Sequence, residues 1–285
     1  DSTDKEVKST EGNVSVKGTD DLKFKAAVGN VNISISSIAA GGAIDTVVDN
    51  SNLNAGIEGT KVTAKKGVEV GAKATNDIMT IAVGGAGGLG IAAEGSINTV
   101  VMAADTMAYI KNSDVNVSEG DVSVTASDEA TIKGGTGAVS ASISAGALAV
   151  SIVTGVINNK IDAQIENSRV VASNDVTVSA TAKELIGTET VPFITIAGGG
   201  AAGVSIDGVV DTMVINSTAD SHIKGTKSIT ENNETKDYGV KAGNDVTVSS
   251  TGEVTLRSVG GAAGGGGVGG VGATVHTVVI DKDNR

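Results

Sequence analysis

The feature that most constrains the fold of this chain is an internal repeat. Five similar segments, "GNVSV", "GVEV", "GDVSV" and two copies of "NDVTV", open successive blocks of the sequence. The first three intervals between these segments are 54 residues and the fourth is 70, measured between their first valines, Val14, Val68, Val122, Val176 and Val246. Repeats of this kind indicate stacked units, each of which buries its apolar face only against its neighbours.

The repeat divides the sequence into the blocks 12–66, 67–119, 120–173, 174–243 and 244–285, the last of them incomplete. We therefore expect residues 1–285 to form one segment of a longer chain. A second marker, Thr-x-Val with Ile nine residues after the Val, supports the same period. It occurs at Thr46/Val48/Ile57, Thr99/Val101/Ile110, Thr154/Val156/Ile165 and Thr212/Val214/Ile223.

The repeating unit has the composition and period of β-strands. The chain has two Phe, two Tyr and no Trp, so small and β-branched residues must fill its interior. Block 120–173 divides into three segments of about 18 residues, each with Gly, Asn or Ser at its ends. The sequence thus predicts an all-β, right-handed parallel β-helix with about 18 residues per turn and three turns per 54-residue repeat. About 15 such turns would make a rod about 70 Å long.

One stretch raises the question of a membrane span. Residues 134–159, between Lys133 and Lys160, contain no charged residue, and about 20 apolar residues suffice for a transmembrane helix. However, Val139, Ala141 and Ile143 alternate with serines, which is typical of a strand. We expect no transmembrane span here.

Gly and Ala are enriched in this stretch and in the corresponding parts of other blocks, 83–95, 197–208 and 260–273. Side chains this small let opposite walls of the solenoid approach closely, which predicts a flattened rod. The alternative is an apolar strip that contacts lipid or another part of the parent protein.

A polar column follows the marker threonines. The residues four positions after them are Asn50, Ala103, Asn158, Asn216 and Asp281. Stacked Asn side chains hydrogen-bond along cross-β structures. We interpret Asn50, Asn158, Asn216 and Asp281 as a structural ladder at a corner of the solenoid, interrupted at Ala103.

The sequence offers little for catalysis or cofactor binding. It has no Cys and two His, His222 and His276, neither beside a recognisable nucleophile, and we expect no metal and no cofactor. A net charge of −12 argues against nucleic acid as a partner. A polysaccharide-active β-helix enzyme would need converging carboxylates and aromatic rings for the sugar, and the aromatic residues are scarce. We expect no enzymatic activity.

The fourth block contains an insertion, 225–243, rich in polar residues. Insertions in solenoids often supply binding surfaces. The candidate partner contacts in it are Lys227, Asn232, Asn233, Asp237 and Tyr238. The alternative is a tolerated insertion without function.

The segments "NDVTVSA", "GGVGATVHTVVID" and "INNKIDAQIENSRV" resemble the large filamentous exoproteins of Gram-negative bacteria. The resemblance is to the leukotoxin-like filamentous adhesin group of fusobacteria, which is related in architecture to filamentous haemagglutinin. It implies type V, two-partner secretion through an outer-membrane transporter, and a location outside the cell, either secreted or on the bacterial surface. It also implies contact with a host-cell receptor or a leukocyte. We expect a non-catalytic rod segment of such a protein, with a polysaccharide-active enzyme and a pure structural spacer as the alternatives.

Overall fold

The computed structural model describes residues 5–225, 229–231, 234–236 and 239–285, and within them the regular structure is β-strand. The strands follow one another in repeating coils of the solenoid. The first two coils consist of β1 (Glu6–Ser9), β2 (Asn13–Ser34), β3 (Ile38–Glu58), β4 (Lys61–Ala64), β5 (Gly67–Gly88), β6 (Ile91–Lys111) and β7 (Asp114–Val117). The third and fourth consist of β8 (Asp121–Ser142), β9 (Gly146–Glu166), β10 (Arg169–Ala172), β11 (Val176–Ile186), β12 (Phe193–Ala201), β13 (Val204–Lys224), β14 (Ile229–Glu231), β15 (Glu234–Lys236) and β16 (Val240–Lys241). The fifth consists of β17 (Val246–Leu256), β18 (Ser258–Gly266) and β19 (Gly269–Asn284).

Apart from the antiparallel pair β14 and β15, these strands form three parallel sheets. The first long sheet contains β2, β5, β8, the pair β11 and β12, and the pair β17 and β18. The second long sheet has the order β19-β13-β9-β6-β3, and a short closing sheet has the order β1-β4-β7-β10-β16. The prediction of an all-β parallel solenoid is confirmed.

The predicted size of a turn is wrong. Val68 pairs with Val14, and Val122 pairs with Val68, so one complete coil takes 54 residues rather than about 18. The glycine clusters that we took for corners lie mostly inside strands of 21 and 22 residues. The five coils therefore rise only about 20 Å along the solenoid axis, and the dimension of about 70 Å lies along the strands.

The two long sheets approach each other closely where Gly and Ala are enriched. A Cβ atom on Gly264 would lie 2.9 Å from the backbone oxygen of Val271 on the opposite sheet. Ala138, Ala149 and Ala197 pack together between the sheets. The flattening predicted from the small residues is present.

The fourth coil carries two insertions. Where β8 is continuous, the fourth coil is split into β11 and β12 by the segment Gly187–Pro192. The second insertion follows β13 and contains the antiparallel pair β14 and β15. The pairing of the coils resumes on both sides of each insertion.

The apolar core fills the part of the solenoid beside the closing sheet. Val68, Val122 and Val176 stack in one inward column, and Ile110 and Ile165 face them from the second long sheet. A second cluster follows further along the strands and includes Ile78, Met102 and Phe193. Polar residues alternate with these side chains and face outward, as in ordinary half-buried strands.

Candidate functional site

The most unusual region is the end of each coil furthest from the closing sheet, where the two long sheets meet. We call it the inverted end and define it by the register-matched segments 27–48, 81–101, 135–156, 194–214 and 259–279. Here the ordinary pattern of a protein interior is reversed. Most inward side chains are small or polar, with Val100, Val153 and Val209 as buried exceptions, and most valine, leucine and isoleucine side chains point outward.

The interior of the inverted end is joined by hydrogen bonds between the sheets. Asn98 is fully buried, and its amide nitrogen donates to the backbone oxygens of Thr80 and Gly135 at 3.2 and 3.1 Å. The buried Thr80 hydroxyl donates to the Asn98 side-chain oxygen at 3.0 Å. The hydroxyl of Ser96 donates to the Ala82 backbone oxygen at 2.7 Å, and that of Ser151 donates to Ile196 at 2.6 Å. These hydrogen bonds offset the cost of burying the four side chains. Buried side-chain oxygens of Glu94, Ser140 and Thr195 in the same end have no hydrogen-bond partner among the described residues.

The outer surface of the inverted end is apolar, even in the inner coils, where neighbouring coils cover both strand edges. In the third coil Val139 is 58% exposed and Ile143 is 71% exposed. In the fourth coil Ile196 and Ile206, which lie on opposite long sheets, are 51% and 54% exposed. An exposed contiguous apolar surface usually marks an interaction site.

Charged side chains avoid this outer surface. All residues of the five segments are described. The four acidic ones among them are Asp45, Glu94, Asp207 and Asp211, the one basic residue is His276, which lies beside Asp211, and there is no Lys or Arg. Each of the four is at most 7% exposed and points into the solenoid. In the third coil, Lys133 and Lys160 flank the region on the two long sheets. The charge-free stretch 134–159 therefore contains the end of β8, the bend that joins the two long sheets, and the beginning of β9. We call the bend the apex and each of the two strand portions an arm.

The insertion between β11 and β12 forms a groove on the same surface. The groove has a volume of about 370 Å³. Its lining includes Ile81, Val83, Val191, Pro192 and Ile194. Val191 and Pro192 of the insertion thus extend the apolar outer surface of the first long sheet, whereas Glu189 of the same insertion is exposed and pairs with Arg257 at 2.8 Å.

A separate polar band crosses the interior between the two apolar clusters. Asn159 donates to Asp128 at 2.7 Å and accepts from the backbone nitrogen of Ala104 at 3.1 Å. Burial, and secondarily the charge of Glu184, raises the pKa of Asp128 to about 7. Glu184 is itself buried and pairs with Lys282 at 3.3 Å. Each of these two buried carboxylates thus has a partner, Asn159 for Asp128 and Lys282 for Glu184.

The Asn column lies in mid-strand on the outer face of the second long sheet, and its assignment to a corner is wrong. Asn50 aligns with Ala103, Asn158 with Asn216, and Asn216 with Asp281. Asn216 donates from its side-chain nitrogen to the Asn158 side-chain oxygen at 3.0 Å. The column therefore lies just beyond the inverted end.

The candidate contacts in the insertion, Lys227, Asn232, Asn233, Asp237 and Tyr238, lie outside the described residues. Both histidines have carboxylate neighbours that the sequence did not reveal. His276 Nδ1 lies 2.9 Å from Asp211 on the adjacent coil, and His222 Nδ1 lies 3.4 Å from Asp220. The His276 pair became visible only with the coil register, because the two residues are 65 positions apart.

Among the described residues, no cluster of three or more His, Cys, Asp or Glu is arranged to hold a metal ion. The same residues include no helix long and apolar enough to cross a membrane. Comparison with family models, curated proteins and solved structures finds no match to this chain.

Proposed function

We propose that this chain is a non-catalytic segment of an exported bacterial surface protein of the filamentous adhesin or leukotoxin kind. It serves as a rigid solenoid that presents a contact surface to host cells. The observation that carries this proposal is the outward apolar surface of the inverted end, which recurs in all five coils.

A pure spacer has no need of such a surface. Its coils would place valine and isoleucine inside and polar residues outside throughout, as the half beside the closing sheet does. Exposed side chains such as Val139 and Ile143 favour aggregation unless a partner covers them. Their repetition along the solenoid favours a contact function over a spacer.

The test is binding of the purified chain to leukocytes and epithelial cells, measured by flow cytometry. A variant that lacks 226–238 and the double variant Gly85→Asp/Gly95→Asp are compared with it. We expect the unmodified chain to bind. Loss of binding only in the deletion variant assigns recognition to the insertion, and loss only in the double variant assigns it to the inverted end. Absence of binding by the unmodified chain contradicts the proposal.

A further inference from the structure

The apolar surface of the inverted end covers three sides. Ile196 represents the first long sheet and Ile206 the second, while Leu89 and Ile143 lie at the apex that joins the two sheets. A folded protein partner usually contacts one face of a sheet. A surface that is apolar on both faces and around the apex is better explained by an apolar medium that surrounds it than by a single docked protein.

The length of the inverted end without outward charges is close to the thickness of the hydrocarbon layer of a lipid bilayer. Each arm of the inverted end has about ten residues, or about 33 Å at about 3.3 Å per residue. The hydrocarbon core of a bilayer is about 30 Å thick. Charged outward residues begin beyond this depth on both sheets, at Asp77 and Lys133 on one and at Asp281, Asp105 and Lys160 on the other.

The interior supports the same conclusion. Strands that face lipid alternate apolar outward and polar inward, the reverse of strands in water-soluble proteins. The inverted end has this alternation, with Ser140 and Ser142 inward beside Val139 and Ile143. Two of its inward polar groups, Asn98 and Ser151, bond across the solenoid and are buried.

From these observations we propose that the inverted end inserts into the hydrocarbon layer of a lipid bilayer, with the apex leading and the closing sheet outside. The inference rests on the proposed contact function and names lipid as the material contacted. The half with charged outer faces then stays in water, and the column that contains Asn158 lies near the boundary.

The first experiment is flotation with neutral phosphatidylcholine vesicles, which exclude attraction between charges. We expect the unmodified chain to float and the Gly85→Asp/Gly95→Asp variant to lose at least about 90% of the bound fraction, because a charge is costly in hydrocarbon. Nothing lies within 4 Å of a Cβ atom at either glycine, so we expect both substitutions to be tolerated by the fold. Unchanged circular dichroism and unfolding midpoint verify this.

The matched control is Gly71→Asp/Ala103→Asp, on the same two strands outside the inverted end. A Cβ on Gly71 makes ordinary contact with Thr125 at 3.5 Å, and the column of Ala103 already contains Asp281. We expect this variant to float like the unmodified chain. Equal flotation of the two double variants would overturn the proposal.

A label measures the orientation directly. The chain has no cysteine, so Val139→Cys and Ser123→Cys each create one attachment site on the outer face of β8 for the fluorophore NBD. With nitroxide groups in the lipid acyl chains, we expect strong quenching at position 139 and little at 123. Equal quenching at both positions contradicts insertion of the inverted end.

The remaining outcomes separate the two proposals. Binding to cells without flotation would refute the lipid contact and leave the proposed function standing. A dimer in solution that is dissociated by Gly85→Asp/Gly95→Asp, without flotation, would assign the apolar surface to a second copy of the chain and would also refute the lipid contact. Flotation without binding to cells would refute the proposed function alone.

Discussion

At the scale of single residues, the buried carboxylate of Asp128 links stability to pH. Its side chain is 2% exposed and accepts from Asn159 and, at 3.4 Å, from Thr106. Burial and the charge of Glu184 raise its pKa to about 7 in spite of these hydrogen bonds. In the unfolded chain the pKa has its ordinary value of 3.8. The folded chain therefore binds a proton between these two values that the unfolded chain releases.

Because of this difference, the contribution of Asp128 to stability is fully present below about pH 4 and is lost as the pH rises to about 7. The loss is at most about 4 kcal/mol, from about 1.4 kcal/mol for each pH unit between the two pKa values. We expect Asp128→Asn to flatten the decline in unfolding free energy, measured by denaturant titration at pH 4, 6 and 8. Glu119→Gln, at an exposed carboxylate at the end of the preceding coil, is the control and should reproduce the original slope. An unchanged slope in Asp128→Asn would rule out this linkage.

At the scale of strands, the interior columns keep carboxylates out of adjacent coils. One column reads Asp20, Ala74, Asp128 and Ala182. A second reads Gly41, Glu94, Ala149 and Asp207. Adjacent coils are about 4.8 Å apart, so the alternation roughly doubles the distance between like charges. The small residues in between therefore reduce the repulsion between the carboxylates of the stacked coils.

The alternation predicts that Ala74→Asp destabilises the chain strongly, because the new carboxylate would lie between Asp20 and Asp128. We expect a loss of about 3 kcal/mol or more at pH 8, where an unpaired buried charge is costly, and a smaller loss at pH 4. Ala74→Asn adds a side chain of similar size without a charge, and its loss should be nearly the same at both pH values. Equal behaviour of the two variants would show that crowding, rather than charge, limits this column.

The strands also show how far the sequence could be interpreted. The repeat and the strand-like composition correctly predicted parallel stacked strands, and period-two alternation correctly predicted strand at Val139 and Ala141. It could not tell which of two alternating sets faces inward. Beside the closing sheet the apolar set is inside, whereas around Val139 and Ile143 it is outside. The turn size was mistaken because Gly134 and Gly135 look like a corner, although both lie inside β8.

At the scale of the whole molecule, the 54-residue coil should be the unit that can be removed. Deletion of 121–174 joins Gly120 to Asp175, which occupies the position of Asp121 in the coil. Every strand of the second coil then meets its equivalent in the fourth, and a solenoid with one coil fewer remains. The deletion would also stack Glu94 on Asp207, so it is made together with Glu94→Gln.

We expect this shortened chain to retain β-rich circular dichroism and cooperative unfolding, with lower stability because one interface between coils is lost. Deletion of 121–138, the length of one of the turns first expected, is the contrasting variant. It removes most of β8 but leaves β9, so the first long sheet loses a strand that the second long sheet retains. We expect it to lose cooperative unfolding. In a stacked solenoid, only the removal of a whole coil keeps every remaining strand paired in register. Retention of cooperative unfolding after the short deletion, or its loss after the 54-residue deletion, would therefore contradict a coil of 54 residues.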